Sequence, residues 1–425
     1  MKIVYLFGAG ASASINDKVP IMANFFKKTV EMLDKDNPRW WRAFAAIEEA
    51  RALPHNPTIE NLGIEMGVLG RSLQSLGESE ASIKEKFTKS INNYKEAFMA
   101  DDGRKSANLE DVFSRLESYK EKNPAACKDV YVRLQFLLAA LFNHLDKELE
   151  SDFIKGTHHN LSEYVANNND KFEHIFISFN YDLWLEKALF QKKIWQPRDG
   201  HGTYCFEYYS QPLEDNVIPI TGEAGVGEFR ELKKFSAKQT SRVKVLKPHG
   251  SLSWRFGRKE AENDSLSWSA GRKEAENGLV ILEKDNENAC VAYNNTWYFP
   301  PTKFPKDLEL VLEPLIIPPT PVKIRSHPLF WDTDKDVFRA ISEADVIVTI
   351  GWSMPETDQY FKDIVSRALN DRKEQIKKMI ICDKRQDTLL YSKFESCFRP
   401  KKIYVWKQGF NKNFVDFLKN ELEHI

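Results

Sequence analysis

The chain has 425 residues, a length that predicts two or three structural units or one domain with a large insertion. Hydrophobic residues make up 42% and charged residues 29% of it, which excludes a mainly disordered protein. The formal net charge of -1 excludes a global basic field for nucleic acid, and the longest apolar run in a helical context, Phe136 to Phe142, is too short to span a membrane.

The N-terminal segment from Lys2 to Phe7 is a run of β-branched and aromatic residues, which predicts a strand. The turn that follows consists of Gly8, Ala9, Gly10, Ala11 and Ser12. Such a turn lets backbone amides approach a pyrophosphate, although a plain tight turn between a strand and a helix has the same composition. The segment lacks the features of a signal peptide, which favours a cytoplasmic protein.

Residues 21 to 170 show helical spacing of apolar residues, for example at Met22, Phe25 and Phe26, and predict a large all-helical insertion. Strand-like and helical segments alternate after it, which indicates a parallel sheet with crossover helices. The predicted strands are HIFISF from His174, VKVLK from Val243, DVIVTI from Asp345, KMIICD from Lys378 and KIYVW from Lys402. We therefore expect a doubly wound, mostly parallel, Rossmann-like α/β sheet built from residues 1–20 and 171–425.

A tandem duplication lies between the predicted strands. SLSW at Ser251 recurs at Ser265, and GRKEAEN at Gly257 recurs at Gly271, with a period of about fourteen residues. Two copies are too few for a solenoid, so a duplicated loop or hairpin is the favoured interpretation. The aromatic segment from Asn294 to Phe299 also suggests a hairpin outside the sheet.

Two polar motifs follow predicted strands. Asn180 and Asp182 come directly after the strand at His174, where the carboxyl ends of parallel strands face a ligand crevice; alternatively, they cap the next helix. His249 lies in the KPHGSL motif between Pro248 and Gly250, which predicts an imidazole displayed on a loop, where it can titrate near neutral pH.

The strand at Asp345 repeats the arrangement of the N-terminus, because it ends at Gly351 and Ser353 and continues into MPETD. The strand after it ends at Asp383, whose carboxylate either hydrogen-bonds a ribose hydroxyl or is simply solvated.

Metal binding finds no support in the sequence. The cysteines are odd in number and scattered, and they form no CxxC pair; they are Cys127, Cys205, Cys290, Cys382 and Cys397. The histidines show no HExxH spacing. We therefore expect neither a disulfide framework nor a zinc site.

In this order, the motifs FGAGAS, SFNYDLWLEKAL, KPHGSL and EADVIVTIGWSMPETD resemble the sirtuin-like family, over residues 1 to 20 and about 171 to 410. They are most similar to its bacterial NAD-hydrolysing branch, many members of which are implicated in anti-phage defence. The deacylases of the family carry a four-cysteine zinc module, which the cysteine spacing here does not allow. The resemblance thus implies an NAD-binding catalytic domain without zinc, with residues 21–170 as its helical insertion.

The activity that the resemblance implies is hydrolysis of the nicotinamide–ribose bond of NAD+ to nicotinamide and ADP-ribose. In this interpretation Asn180 positions the water or the ribose, His249 is the general base and Asp182 supports Asn180 or the nicotinamide end. The turn from Gly8 to Ser12 holds the pyrophosphate. The adenosine side is lined by Gly351 and Ser353, with Asp383 at a ribose hydroxyl.

Other activities remain open at this point. A non-catalytic sensor of NAD or ADP-ribose needs the glycine turns but not the base, and an ADP-ribosyl transferase or cyclase shares the first chemical step. Family members often act as homo-oligomers or beside a partner ATPase or translocase, which implies that assembly or a separate activating protein controls the activity. The sequence shows no direct nucleic-acid or membrane signal.

Overall fold

The computed structural model of the protein describes residues 1–25, 28–29, 145–146, 148–195, 242–259, 310–317, 328–385 and 387–423, together with residues 109, 113, 138, 141–142, 201, 204–206, 229–230, 232–234, 291–292 and 302–303. None of the described helices combines the length and the apolar character that a membrane span requires.

A six-stranded parallel sheet forms the centre of the fold. Its strands are β1 (Lys2–Phe7), β2 (Glu173–Ser178), β6 (Val243–Leu246), β11 (Val346–Ile350), β12 (Lys378–Cys382) and β13 (Ile403–Trp406). They lie in the order β13-β12-β11-β1-β2-β6, and every neighbouring pair is parallel. This is the strand order of a Rossmann-type sheet. The chain first adds β2 and β6 on one side of β1 and then adds β11, β12 and β13 on the other side. The predicted fold class is confirmed.

Helices cover both faces of this sheet. The helices are α1 (Ala9–Ser12), α2 (Glu150–Ile154), α3 (Thr157–Ala166), α4 (Trp184–Gln191), α5 (Pro328–Glu343), α6 (Gln359–Asn370), α7 (Thr388–Phe398) and α8 (Lys412–Glu423). One face packs against α3, α4 and α8, and the other against α5, α6 and α7. The sheet is therefore wound on both sides, as the crossover connections of parallel strands require.

The apolar run of β1 follows from this double cover. Ile3, Tyr5 and Phe7 belong to the core on one face, whereas Val4 and Leu6 belong to the core on the other. Because successive side chains of a strand point to opposite faces, a strand buried on both faces must be apolar at every position.

The remaining strands form small antiparallel pairings. They are β3 (Tyr204–Phe206), β4 (Phe229–Arg230), β5 (Leu232–Lys234), β7 (Gly250–Lys259), β8 (Val291–Ala292), β9 (Thr302–Lys303) and β10 (Leu310–Ile316). The pairs are β7 with β10, β10 with β9, β3 with β5, and β4 with β8. The first SLSW copy lies in β7, whereas the second copy and the segment at residues 294–299 lie outside the described residues.

The predicted helical insertion is described only in part. Its described residues include the 3-10 turn Met22–Asn24 and the helices α2 and α3, and helical positions recur at residues 109, 113, 138, 141 and 142. Most of residues 26–144 lie outside the described residues, so the division into domains at residues 20 and 170 stays a prediction.

Candidate functional site

The turns after β1 and β11 touch each other through their backbones. The Gly8 amide donates to the Ile350 carbonyl and the Gly10 amide to the Gly351 carbonyl, both at 3.0 Å. Gly351 has a φ of +60°, and a Cβ atom added there would lie 2.3 Å from the amide nitrogen of Ala11. Only glycine accepts both the positive φ and this approach. The predicted glycine turns therefore have a structural role in the contact between β1 and β11.

The amides of the first turn are largely engaged within the protein. Besides those of Gly8 and Gly10, the Ala11 amide donates to the Gly8 carbonyl at 2.9 Å. The helix that follows, α1, has only four residues. A pyrophosphate bound here would replace these carbonyls or use other donors of the turn, so phosphate binding by Gly8 to Ser12 stays a prediction.

A chain of buried hydrogen bonds joins the first turn to the end of β2. The Nδ2 amide of Asn180 donates to the Gly8 carbonyl at 3.0 Å and to the Ser12 Oγ at 2.8 Å. The Ser12 hydroxyl in turn donates to the Asp182 Oδ2 at 2.7 Å. Both amide hydrogens of Asn180 are thus directed into the protein, which leaves its amide oxygen as the group that can accept a hydrogen bond from a ligand.

The capping interpretation of these two residues is wrong for Asn180 and weak for Asp182. The N-cap position of α4 is Leu183, which makes no side-chain cap. The Asp182 Oδ1 accepts from the Trp184 amide only at 3.4 Å. The main partners of both side chains lie in the first turn and not in the helix.

The Asp182 carboxyl group is poised to titrate near neutral pH. Burial raises its pKa from 3.8 to about 6, although the Lys247 ammonium and the hydrogen bond from Ser12 act in the opposite direction. The Glu186 carboxylate adds to the increase. A buried carboxyl group with a raised pKa is typical of a functional site, although buried ion-pair networks show the same shift.

His249 lies in the turn between β6 and β7, which Gly250 completes with a φ of +78°. The sequence predicted a displayed imidazole, but the structure buries it: its exposed fraction is 5%. The burial comes from β10, since the Ile317 amide donates to the His249 carbonyl at 2.8 Å, and from the segment after β11. There the Asp358 Oδ1 lies 3.0 Å from the His249 Nε2.

Aromatic rings surround the imidazole. Phe179 packs edge-on against His249 at 5.3 Å and stacks in parallel on Trp352 at 4.7 Å. Tyr181 and Tyr360 lie 6.4 Å and 6.0 Å from the imidazole centroid. The residues on both sides of Asn180 in the chain thus contact His249, which brings the second and third sequence motifs together.

A buried ion pair that the sequence analysis missed lies beneath these motifs. The Lys247 Nζ is 3.0 Å from the Glu186 Oε1, and both side chains are fully buried. The same ammonium donates to the Asp182 carbonyl at 2.7 Å, and His201 lies 3.5 Å from Glu186. Burial alone would raise the pKa of Glu186, but Lys247 and His201 lower it below its ordinary value. Glu186 sits in the helical run WLEKALF, where a charge ordinarily indicates a solvated position, so no sequence signal marked it.

The two remaining predicted residues lie farther along the sheet. Ser353 follows Trp352 after β11 and is half-buried. Asp383 follows β12, where its two carboxylate oxygens accept from Nε and the terminal nitrogen of Arg385 at 2.9 Å and 2.6 Å. The alternative of a simply solvated strand end is wrong, because the exposed fraction of Asp383 is 6%. Contact with a ribose stays a prediction.

The sheet order explains why the motifs meet. The strands β11, β1, β2 and β6 are consecutive neighbours in the sheet, and each carries one motif at its carboxyl end. Parallel strands end at the same edge, so motifs that are far apart in the sequence lie at one edge of the sheet. There, hydrogen bonds join Ser12 to Asn180 and Asp182, and the rings of Phe179 and Tyr181 contact His249.

Within the described ranges, no group of three or more histidine, cysteine or acidic residues has the geometry to hold a metal ion. Cys382 and Cys397 are free thiols. Burial raises the pKa of Cys397 to about 11, and it also raises the pKa of Cys382 well above its usual value. The expected absence of zinc stays a prediction.

Comparisons with known proteins give matches in structure and none in sequence. No protein-family model matches the chain, and no curated protein does. Among solved structures, a chain described under "Structural Basis for the Mechanism and Regulation of Sir2 Enzymes" is 13% identical with a TM-score of 0.27, and the match covers 72% of this chain and 83% of that one. A Sir2 enzyme is thus a structural neighbour, but a TM-score this low assigns no activity.

Proposed function

We propose that the chain is an NAD+ glycohydrolase that cleaves the nicotinamide–ribose bond. The observation that carries this proposal is the convergence of Asn180, Asp182 and His249 at the ends of the adjacent strands β2 and β6, beside the glycine turn of β1. A crevice at the carboxyl ends of a doubly wound sheet is where such folds bind nucleotides. An amide, a carboxylate and an imidazole there supply what glycosidic cleavage requires.

The reaction consumes NAD+ and water and releases nicotinamide, ADP-ribose and a proton. Loss of nicotinamide leaves the electron pair of the broken bond on its nitrogen and develops positive charge on the ribose, so the site must stabilise an oxocarbenium-like transition state. The Asp182 carboxylate is the negative group closest to Asn180 in the hydrogen-bond chain. It stabilises the cation, while the amide oxygen of Asn180 orients the ribose or the water.

His249 acts as the general base of this reaction. It accepts a proton from the attacking water or from a ribose hydroxyl as the new carbon–oxygen bond forms. Its burial among aromatic rings removes bulk water from the imidazole, which strengthens every electrostatic interaction that it makes.

The nucleotide itself would occupy the crevice between β1 and β11. In this proposal the turn from Gly8 to Ser12 holds the pyrophosphate, Gly351 and Ser353 line the adenosine side, and Asp383 accepts from a ribose hydroxyl. The reversal of strand order between β1 and β11 supports this placement.

We further propose that NAD+ depletion by this enzyme serves anti-phage defence in the cytoplasm. An NADase without control would harm its own cell. We therefore propose a homo-oligomer, or a complex with a partner ATPase or another activating protein, as the state in which it turns over. The helical insertion is the part of the chain that we assign to this assembly.

The proposal is tested by incubating the full chain, over a range of protein concentrations, with NAD+ and separating nicotinamide, ADP-ribose and cyclic products by chromatography. We expect ADP-ribose from the wild type, and a loss of about 100 to 10,000-fold in Asn180→Ala and in His249→Ala. The matched controls are Asn370→Ala at the exposed end of α6 and His159→Ala in α3, which should keep full activity.

Each other outcome contradicts part of the proposal. Tight NAD+ binding without any product, at every concentration and with a cell lysate added, indicates a sensor. A cyclic product, or ADP-ribose attached to protein, indicates a cyclase or a transferase. Undiminished activity in His249→Ala removes the general base from the mechanism.

A further inference from the structure

We propose that Asp358 is a positioning residue for His249, which holds the imidazole in place and stabilises its protonated form; this inference rests on the proposed function. The contact is 3.0 Å between the His249 Nε2 and the Asp358 Oδ1. The exposed fractions of the two residues are 5% and 1%. Asp358 is the last residue of the motif EADVIVTIGWSMPETD, but the sequence analysis assigned no role to it.

The position of Asp358 is itself fixed from two directions. Its Oδ2 accepts a hydrogen bond from the Trp352 indole nitrogen at 3.3 Å. Its backbone amide donates to the Pro355 carbonyl at 3.0 Å, which closes the 3-10 turn Glu356–Asp358 ahead of α6. One carboxylate oxygen therefore faces the indole and the other faces the imidazole. A carboxylate held in this way fixes the ring orientation of its histidine partner.

Asp358 places a negative charge next to the imidazole. From the end of β2, Phe179 and Tyr181 contribute rings, and α6 contributes the ring of Tyr360. The ammonium of Lys247, two residues earlier, is paired with Glu186. In a buried site a carboxylate in contact favours the imidazolium over the neutral ring. The positive charge that His249 gains when it takes up a proton is thus compensated by the Asp358 carboxylate.

This arrangement assigns separate roles to the two residues. His249 takes up the proton, whereas Asp358 touches neither water nor ribose in the reaction and acts only through the imidazole. Removing the charge of Asp358 should therefore lower kcat and leave the binding of NAD+ nearly unchanged. A residue that merely stabilised the fold would change the melting temperature and not the protonation of His249.

The test compares the wild type with Asp358→Asn, which keeps the shape of the side chain and removes its charge. The control is Asp363→Asn, an exposed carboxylate one turn into α6 that contacts Gln359 at 3.2 Å. Two readouts are taken on the full chain: kcat and KM for NAD+, and the NMR titration of ring-labelled histidine. The His249 signal is assigned by its absence in His249→Ala.

We expect Asp358→Asn to lower kcat at least about 10-fold with KM changed less than about three-fold. The pH midpoint of the His249 signal should move downward, since the charge that favours the imidazolium is gone. Asp363→Asn should match the wild type in both readouts. An unchanged kcat in Asp358→Asn, or an unchanged His249 midpoint, overturns the inference.

A second variant and a readout independent of activity cover the cases in which Asp358→Asn does not fold or the wild type is inactive. If Asp358→Asn does not fold, Asp358→Glu replaces it: the longer side chain displaces the carboxylate, so kcat should fall at least about five-fold, and an unchanged kcat overturns the inference. If the wild type cleaves no NAD+, the proposed function fails, while the NMR comparison still decides whether Asp358 sets the protonation of His249.

Discussion

The two sides of the candidate site are held together by different forces. On the side of β1 and β11, the turns meet through glycine backbones, with Gly10 and Gly351 in direct contact. On the side of β2 and β6, the chain segments are joined by buried charged groups, with Lys247 bridging Glu186 and the Asp182 carbonyl. The contact between the turns of β1 and β11 is steric, whereas the contacts of Lys247 are electrostatic.

The difference teaches what each side tolerates. A backbone contact is indifferent to pH but has no room for a single added carbon atom. A buried ion pair accepts changes of shape more readily, but not the loss of one partner, because the remaining charge is then uncompensated in a medium of low dielectric. The sharpest test therefore uses substitutions that add an atom without changing a charge, and substitutions that remove a charge without changing the shape of the side chain.

The largest effect is expected for Gly351→Ala on the steric side. Its new Cβ atom would meet backbone atoms of Gly10 at 2.4 Å and 2.6 Å, which no side-chain rotation can relieve. Overpacking and the strain of the positive φ together should lower the free energy of unfolding by about 5 kcal/mol. Urea denaturation measures this loss.

The control for the positive φ alone is Gly409→Ala. Gly409 has a φ of +73°, but the atoms that its Cβ would meet belong to the flexible side chain of Lys384. We expect a loss of only about 1 kcal/mol there. Equal losses at the two positions would show that backbone contact between the turns adds nothing.

Glu186→Gln should produce the next largest effect, on the electrostatic side. It leaves the fully buried Lys247 ammonium without its carboxylate and should lower the free energy of unfolding by about 4 kcal/mol. The matched control is Glu163→Gln, which removes an exposed partner of Lys192 at 3.2 Å and should cost less than about 1 kcal/mol.

A double-mutant cycle sharpens this result. Lys247→Met combined with Glu186→Gln removes both charges, so the double variant should be less destabilised than the sum of the single variants by at least about 1 kcal/mol. Additive losses would mean that the two side chains are not coupled.

The smallest effect is the pH dependence of Asp182→Asn. The folded-state pKa of Asp182 is raised to about 6 from 3.8 by burial, so its carboxyl form is favoured in the folded protein and the stability it contributes is lost as pH rises from 3.8 through about 6. In Asp182→Asn this carboxyl group is absent. Between pH 4 and pH 7, the unfolding free energy of the wild type should therefore fall relative to that of Asp182→Asn by up to about 3 kcal/mol.

This shift is measured by urea denaturation of both proteins across that range. Gly409→Ala, which adds and removes no titratable group, should keep a constant difference from the wild type over the same pH values. A constant difference for Asp182→Asn as well would show that the carboxyl group is not perturbed.

The inner strands β1 and β11 could be predicted from the sequence because burial on both faces requires mainly apolar residues. All five described core positions of β11 are fully buried, and the run DVIVTI shows this directly. The long delay between β1 and β2 was also visible as a switch from strand-like to helical spacing. The alternation of strands and helices predicted parallel pairing, whereas the order of the strands came only from the structure.

The site was predictable only where a motif followed a strand. Asn180 and His249 were found in this way, because glycine, proline and polar residues at strand ends are unusual. Asp358 and Glu186 also lie inside quoted motifs, but their roles were not predicted, since each side chain pairs with a residue of a distant segment. A charged residue in a helical segment is ordinarily predicted to be exposed to solvent, because a buried charge needs a partner of opposite charge. Here the partner lies in a distant segment of the chain, so the local sequence does not reveal the pair.

The central position of β1 has a consequence for synthesis. The hydrogen-bonded residues Lys2 and Asp345 are 343 residues apart in the chain, so β1 leaves the ribosome long before β11, one of its two neighbours in the sheet, has been made. At translation rates of about 5 to 20 residues per second, that interval is about 20 to 70 s. Throughout it an apolar strand with an open edge is exposed, which makes nascent-chain protection a condition for obtaining this protein in folded form.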